Sequence, residues 1–301
     1  MKLKYVVEEK DKNKNKTVNQ IINEKYNLSN RLFTKLIKNK RILINDKSID
    51  TRKVPNVKDI ICIDLNYNED NSNIISKQMD LDIVYEDDTM IIIDKPRGIA
   101  VHPSISHYED SLASGIKYYF ESKGIYKKIR PVNRLDLNTS GLIIFAKNEY
   151  VQENLIKQMQ TRTFRKEYIA IVLGTFEKKK GKIDASIARK EGSIIERCVS
   201  EEGQKAVTEY EVIREIGNNS LVKCNLLTGR THQIRVHMAY IGHPLLGDGL
   251  YGKKSDLIDG QALHCNKLSF LHPITNENIE IISNSDYEQK FEKLLQKLLT
   301  K

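Results

Sequence analysis

The sequence reads as an α+β protein of two unequal parts, a small basic module at the front and a larger, mixed, mainly antiparallel α+β body. Three observations lead there. Apolar residues recur at helical spacing in a few short segments, whereas β-branched runs bounded by polar turns are more numerous and do not alternate regularly with them. The charge is divided unevenly. Residues 1–60 hold 16 Lys/Arg against 7 Asp/Glu, the whole net charge of +9, while the remaining 33 basic and 33 acidic residues cancel. Between the parts lies N-Y-N-E-D-N-S-N-I-I-S-K at 66–77, polar and aperiodic, with the composition of a linker.

In the front module, 17–27 predicts a helix with Val18, Ile21, Ile22 and Tyr26 on one face. Ser29 is placed to cap a second helix over 30–39, in which Leu32, Phe33, Leu36 and Ile37 share a face while Arg31, Lys35 and Lys38 project elsewhere. A strand over 41–45, a turn at 45–47 and a strand over 60–65 complete it. The body opens with two β-branched runs, 81–85 and 90–94, around the turn Glu86-Asp87-Asp88-Thr89. Further strands are expected at 141–146, 167–173, 182–187, 206–214, 220–227 and 262–271, with helices at 111–122, 149–160, 231–241 and 286–299. In the last helix Phe291, Leu294, Leu295, Leu298 and Leu299 cluster, as a packing helix requires.

Composition excludes several classes. With 301 residues, 40% of them hydrophobic and only 15 Gly and 6 Pro, the chain is neither disordered nor collagenous. No apolar stretch approaches the roughly 18 residues of a membrane span. The opening MKLKYVVEEKDKNKNK lacks an apolar signal core, so a cytoplasmic location is expected. Cys62, Cys198, Cys224 and Cys265 are too scattered for a zinc site or a disulfide frame. A basic module beside a neutral body suggests polyanion binding joined to a separate activity, against the alternative of a solvated lysine-rich surface.

Three segments of the body are too polar for plain structure. R-P-V-N-R-L-D-L-N-T-S-G at 130–141 places Arg134 and Asp136 in a loop just before a buried strand, where a carboxylate can be held rigidly. L-T-G-R-T-H-Q-I-R-V-H at 227–237 gathers Arg230, His232, Gln233, Arg235 and His237 around a helix start. G-H-P-L-L-G-D-G-L-Y-G at 242–252 has glycines suited to close approach of backbone to a ligand. Neither a G-x4-G-K-[ST] loop nor G-x-G-x-x-G occurs, so nucleotide-driven chemistry lacks its phosphate cradle. His232 and His237 are five apart with no Glu between, unlike a zinc-binding H-E-x-x-H. Ser140 lacks the G-x-S-x-G frame of a nucleophile elbow. On residues alone, Asp136 reads equally as a turn-capping Asp, and the Arg/His helix as a solvated surface that pairs with phosphates.

Two resemblances add to this. L-S-N-R-x4-L-I-K-N-K-R-I-L-I-N-D, followed by V-K-D at 57–59, resembles the S4 (α-L) RNA-binding domain over about 14–65, although Asn30 and Asn39 stand where Arg and Gly are usual. It implies RNA contacts from Arg31, Lys35, Lys38, Arg41 and Asn45. Within the body, 79–301 after a linker at 66–78, residues 81–275 resemble the catalytic domain of ribosomal large-subunit pseudouridine synthases of the RluA/RluD type. Six ordered motifs carry it: K-P-R-G-I-A-V-H-P from Lys95, N-R-L-D-L-N-T-S-G-L from Asn133, K-E-Y-I-A-I-V-L-G from Lys166, L-T-G-R-T-H-Q-I-R-V-H from Leu227, G-H-P-L-L-G-D-x-L-Y-G from Gly242 and L-H-x3-L-S-F-x-H-P from Leu263. The family usually has His where this chain has Asn133.

The second resemblance implies isomerisation of uridine to pseudouridine with no cofactor and no metal. Asp136 would be the essential carboxylate, kept charged by Arg235. Tyr168 would stack on the flipped base, its hydroxyl available to help remove the C5 proton, and Arg134 would fill the space the base vacates or hold a phosphate. Arg230, His232 and Gln233 would face RNA. Large-subunit ribosomal RNA is the expected substrate, free or in an assembling subunit, with transfer RNA as the alternative; the enzyme is expected to act as a monomer away from membranes. Two rivals are a non-catalytic RNA-binding or assembly protein and a nucleoside hydrolase, the latter needing a second carboxylate across the pocket, for which Asp248 is the nominee.

Overall fold

The computed structural model describes residues 1–104 and 108–299. The front module comprises β1 (Lys2–Val6), α1 (Glu9–Asn13), α2 (Val18–Tyr26), α3 (Asn30–Lys38), β2 (Ile42–Ile44), β3 (Lys47–Ser48) and β4 (Ile60–Asp64). Thr17 and Ser29 cap α2 and α3 by accepting the amides of Gln20 and Leu32, satisfying donors that a helix start leaves open. Val18, Ile21, Ile22, Leu32 and Leu36 are buried against an antiparallel sheet in the order β1-β4-β2-β3. That sheet begins earlier than the 14–65 span expected from sequence, because β1 pairs along β4 from Lys2↔Asp64 to Val6↔Ile60.

Residues 66–77 hold neither helix nor strand, yet they are not a free linker. Ile74 is buried, Lys117 Nζ donates to the carbonyls of Asn71 and Ile74, and Arg130 grips the Glu69 carboxylate at 2.6 and 2.7 Å. The segment is a strap laid on the body.

The body continues with β5 (Ile83–Glu86), β6 (Met90–Lys95), α4 (Leu112–Ser122), β7 (Arg130–Pro131), β8 (Ser140–Ala146), α5 (Glu149–Gln160), β9 (Arg165–Leu173), β10 (Lys180–Asp184), β11 (Ile187–Arg189) and β12 (Arg197–Val199). It ends with β13 (Val207–Ile216), β14 (Asn219–Leu226), α6 (Gln233–Tyr240), β15 (Leu263–Leu271), β16 (Asn278–Ile282) and α7 (Tyr287–Leu299). A ten-stranded sheet runs β10-β13-β14-β9-β15-β8-β6-β5, with β16 on β15 and β7 on β8. Among the described residues its one parallel pairing is β8 with β15. The mixed, mainly antiparallel architecture is the one expected.

The strand expected over 182–187 is two. Ala185 and Ser186 carry the chain out of the large sheet, and β11 pairs with β12 in a separate ribbon. The central strands explain the sequence texture: β8 and Met90–Ile93 of β6 are buried on both faces and so read as continuous apolar runs. Phe291 and Leu295 of α7 pack on Ile169, Ile171 and Leu221 of the sheet. No helix among the described residues is long and apolar enough to cross a membrane.

Candidate active site

β15 lies between β9 and β8, and Cys265 is its pivot, opposite Tyr168 on one side and Gly141 on the other. Gly141 is needed there. Its φ is +109°, and a Cβ would fall 2.3 Å from the Cys265 carbonyl oxygen, so a side chain would push β8 off β15. The loop before β8, carrying Arg134 and Asp136, is thereby brought over the end of β9. A cleft of about 510 Å³ opens at this point, and Arg134, Asp136, Lys166, Tyr168, Arg230 and Arg235 are among its walls.

The loop is pinned from beneath. Lys95, fully buried, donates Nζ to the carbonyls of Pro96, Ile99 and Leu137 at 2.9–3.0 Å. Burial lowers its pKa to about 7 while Asp136 pulls the other way; three carbonyl acceptors call for three N–H donors, which only the ammonium has. Arg97 reaches the carbonyls of Asn138 and Gln261, and Gln261 donates to Thr139 Oγ1 at 2.9 Å. Asn133, the departure from the family motif, bonds the β8 backbone at Leu142 and Ile144 at the cleft wall.

Asp136 emerges from this frame with its side chain 28% exposed. Arg235 on α6 approaches it with Nη1 at 3.2 Å from Oδ2, while Nε and Nη2 of the same guanidinium take Asp248 in a bidentate grip at 2.7 and 2.8 Å. Burial opposes the charge on Arg235, but the Asp248 bonds and Asp136 overcome it and hold the group above its ordinary value. For Asp248, burial pushes upward and the Arg235 bonds prevail, leaving its carboxyl below the usual range. Asp248 is thus a clamp on Arg235 with no exposed side-chain surface, and the expectation of a second carboxylate facing Asp136 across the pocket is corrected.

Tyr168 is buried in the cleft floor, with burial first and the Cys265 thiol and its hydrogen bond next in holding its phenol well above the ordinary value. It is a neutral hydroxyl and an aromatic face, not a phenolate. Lys166, two residues earlier on the same face of β9, also lines the cleft and has its pKa lowered by burial. It was not singled out from the sequence, although the period-2 alternation of a strand puts it beside Tyr168. Arg134 is exposed at the cleft mouth, and burial together with its charge holds His102 below the ordinary imidazole value.

Of the residues expected to face RNA, Arg230 lines the cleft with its Nε donating to the Lys205 carbonyl, and His232 lies beside Asp136. Gln233 is otherwise engaged. Its amide nitrogen donates to Val207 O and Thr208 Oγ1, and its oxygen accepts from Arg230 N and Thr228 Oγ1, so all four of its bonds are internal. The front-module residues are not part of the cleft. Arg31 and Lys38 are exposed, Arg41 pairs with Asp64 at 2.8 Å, and Asn45 bonds Asp59 and the Ile60 amide. Lys35 pairs with Glu149 of α5 at 2.7 Å, which makes it a contact between module and body. Of the glycines of 242–252, Gly247 serves close packing within the chain: a Cβ there would meet the Gly260 carbonyl at 2.4 Å.

The family model for RNA pseudouridylate synthase matches residues 89–240, more than half of the chain and all of the cleft's loop, floor and α6. The chain belongs to the RNA pseudouridine synthase family. It is 43% identical over 241 residues to an uncharacterized RNA pseudouridine synthase, YhcT, of Bacillus subtilis, covering 79% of this chain and 80% of the relative. It is 35% identical over 262 residues to ribosomal large subunit pseudouridine synthase D of Neisseria meningitidis, covering 82% of this chain and 69% of the other. The fold agrees with that of human RNA pseudouridylate synthase domain containing 1, at a TM-score of 0.56 and 24% identity over 71% of this chain and 94% of that one. The chain is accordingly an RNA-modifying isomerase of the RluA/RluD type. What the cleft offers such a synthase is one solvent-reachable carboxylate beside a clamped cation, a neutral aromatic floor and a basic rim.

Proposed function

We propose that the protein converts specific uridines of large-subunit ribosomal RNA to pseudouridine, with Asp136 as the catalytic carboxylate and the S4-like front module as its grip on structured RNA. The observation that carries this reading is the triplet Asp136–Arg235–Asp248, in which Asp136 and Arg235 line the cleft and Asp248 holds Arg235 from behind. The reaction breaks the N1–C1′ bond and forms C5–C1′; the C5 proton leaves, N1 gains one, and composition and oxidation state are unchanged. No cofactor or metal is needed, only an ionised carboxylate at C1′ and a place for the flipped base. Arg235, itself pinned by Asp248, keeps Asp136 charged as base and ribose displace water. The ring of Tyr168 receives the uracil face, and its neutral hydroxyl can relay the C5 proton without becoming a phenolate in the resting site. Unstacking the target costs a few kcal/mol, least in a loop. Arg134 and Arg230 at the rim suit flanking phosphates. The enzyme works as a cytoplasmic monomer, on free ribosomal RNA or an assembling large subunit.

The test is tritium release from RNA labelled at uridine C5, with ribosomal and transfer RNA as separate substrates. Wild type should release tritium from ribosomal RNA, and Asp136→Asn should release none while binding RNA with affinity changed by less than about tenfold. Release from transfer RNA alone would replace the substrate. Absence of release from either, with binding intact, would replace the enzyme by an RNA-binding assembly protein.

A further inference from the structure

His232 has an unusual place at the head of α6. Its backbone lies at φ 58° and ψ 20°, the left-handed region that a side chain as bulky as imidazole occupies at a cost. It sits in the N-cap position, but its side chain caps nothing, whereas Thr17, Ser29, Ser111 and Asn148 at other helix starts each accept a backbone amide. The ring instead lies edge-on to Tyr251, 5.7 Å between centroids at 76°, with Nδ1 2.9 Å from the Tyr251 hydroxyl and Nε2 3.8 Å from Asp136 Oδ2.

The donor count favours a proton on Nε2. The Tyr251 oxygen already accepts the Arg197 amide at 2.8 Å, so its own proton is free to go to His232 Nδ1. An imidazole whose Nδ1 accepts is neutral, with hydrogen on Nε2, the edge turned to Asp136. The charged groups around it are Asp136 in the loop before β8, Arg235 on α6, Arg197 on β12 and Asp248 after α6. Burial first, then the two arginines, hold its pKa below the ordinary value against the pull of the two carboxylates. Arg235 Nη1 approaches the same carboxylate oxygen, Oδ2, and Oδ1 has no hydrogen-bond partner among the described residues.

We infer that His232 is a positioning residue of the isomerisation: Tyr251 fixes it as the neutral Nε2-protonated tautomer, and its Nε2–H joins Arg235 in anchoring Asp136 Oδ2, which leaves Oδ1 to face the ribose. The gap of 3.8 Å closes as base and ribose fill the cleft, since catalytic hydrogen bonds are commonly long in the empty site. The strained backbone is what aims the ring at Asp136 instead of at the helix amides. The inference rests on Asp136 being the reacting carboxylate, and the measurements below separate the two.

The first measurement needs no variant. Long-range 15N–1H correlation of histidine-labelled wild type should show His232 with Nε2 protonated and Nδ1 bare near neutral pH, and Tyr251→Phe should show mixed tautomers. Single-turnover tritium release should then fall about tenfold in His232→Ala and Tyr251→Phe, the worth of one hydrogen bond to a charged acceptor, with KM and RNA affinity unmoved. His232→Gln, whose amide nitrogen can stand where Nε2 stood, should recover most of the rate. An Nδ1-protonated His232 in wild type, an unchanged rate in His232→Ala, or a loss confined to RNA affinity would each overturn the inference. Turnover by Asp136→Asn would instead remove the catalytic reading beneath it.

Discussion

Arg235 spends three hydrogen bonds on two carboxylates that are not equivalent. Asp248 is sealed and takes two of them, so replacing Arg235 by Gln strands a buried charge. Removing one partner of a buried pair costs about 3–5 kcal/mol, and Arg235→Gln should lower unfolding free energy in urea by that order. Asp136 is open to water on one side, so Asp136→Asn should change stability by less than 1 kcal/mol or so while abolishing turnover. The contrast tells a structural carboxylate from a working one by two measurements on the same preparation. Sequence alone could pick out Asp136 and Arg235 by motif. It could not assign Asp248, because an acid among glycines looks alike whether it caps a turn, clamps an arginine or faces a substrate. Gln233 misled for a related reason: its four bonds go to groups as distant as Val207 and Thr208, a closure that only the fold reveals.

Around β8 and β15 the loop bearing Asp136 is fastened by groups of unlike chemistry. One of them has a pH signature. His264 on β15 holds Ser140 Oγ through Nδ1 at 3.0 Å and stacks on Tyr287 at 3.7 Å. Burial, then Arg97 and Lys290, lowers its pKa to about 3. The unfolded chain, with an ordinary imidazole near 6.5, binds the extra proton first, so stability is lost as pH falls from about 6.5 towards about 3. The slope should approach about 1.4 kcal/mol per pH unit for this group. Urea titrations at about pH 5.5 and 4.5 should show a smaller acid loss in His264→Phe than in wild type, by roughly that amount. The strands around this loop were the most legible part of the sequence, because β6 and β8 are buried on both faces and their apolar runs admit no other reading. β1 escaped notice for the opposite reason: in K-L-K-Y-V only Leu3 is buried, and the pairing partner lies about sixty residues on. The break at Ala185-Ser186 carries no Gly or Pro to announce it.

Module and body meet along α3 and α5. Ser29 donates to Glu153 at 2.6 Å, Lys35 pairs with Glu149, and Tyr26 stands edge-on to Tyr150 with centroids 6.4 Å apart. If the module grips RNA as proposed, its cations are unequal. Lys38→Ala and Arg31→Ala should each reduce the salt slope of RNA binding by about 0.7–0.9, one phosphate's worth. Lys35→Ala should leave the slope unchanged, its ammonium being committed to Glu149; a reduction equal to that of Lys38→Ala would mean that the module undocks to bind. The place of β15 has a consequence in time. Strands β8 and β9 are adjacent in sequence order yet separated in the sheet by a strand made about a hundred residues later. During translation at roughly 5–20 residues per second, the two halves must wait several seconds with bare edges before Leu263–Leu271 enters between them. Such exposed edges invite pairing with other chains, so the nascent body is open to aggregation until its last strands arrive. Polypeptides released early should aggregate and not bind RNA idly, and the loop bearing Asp136, which β15 underpins, is among the last parts of the molecule to take shape.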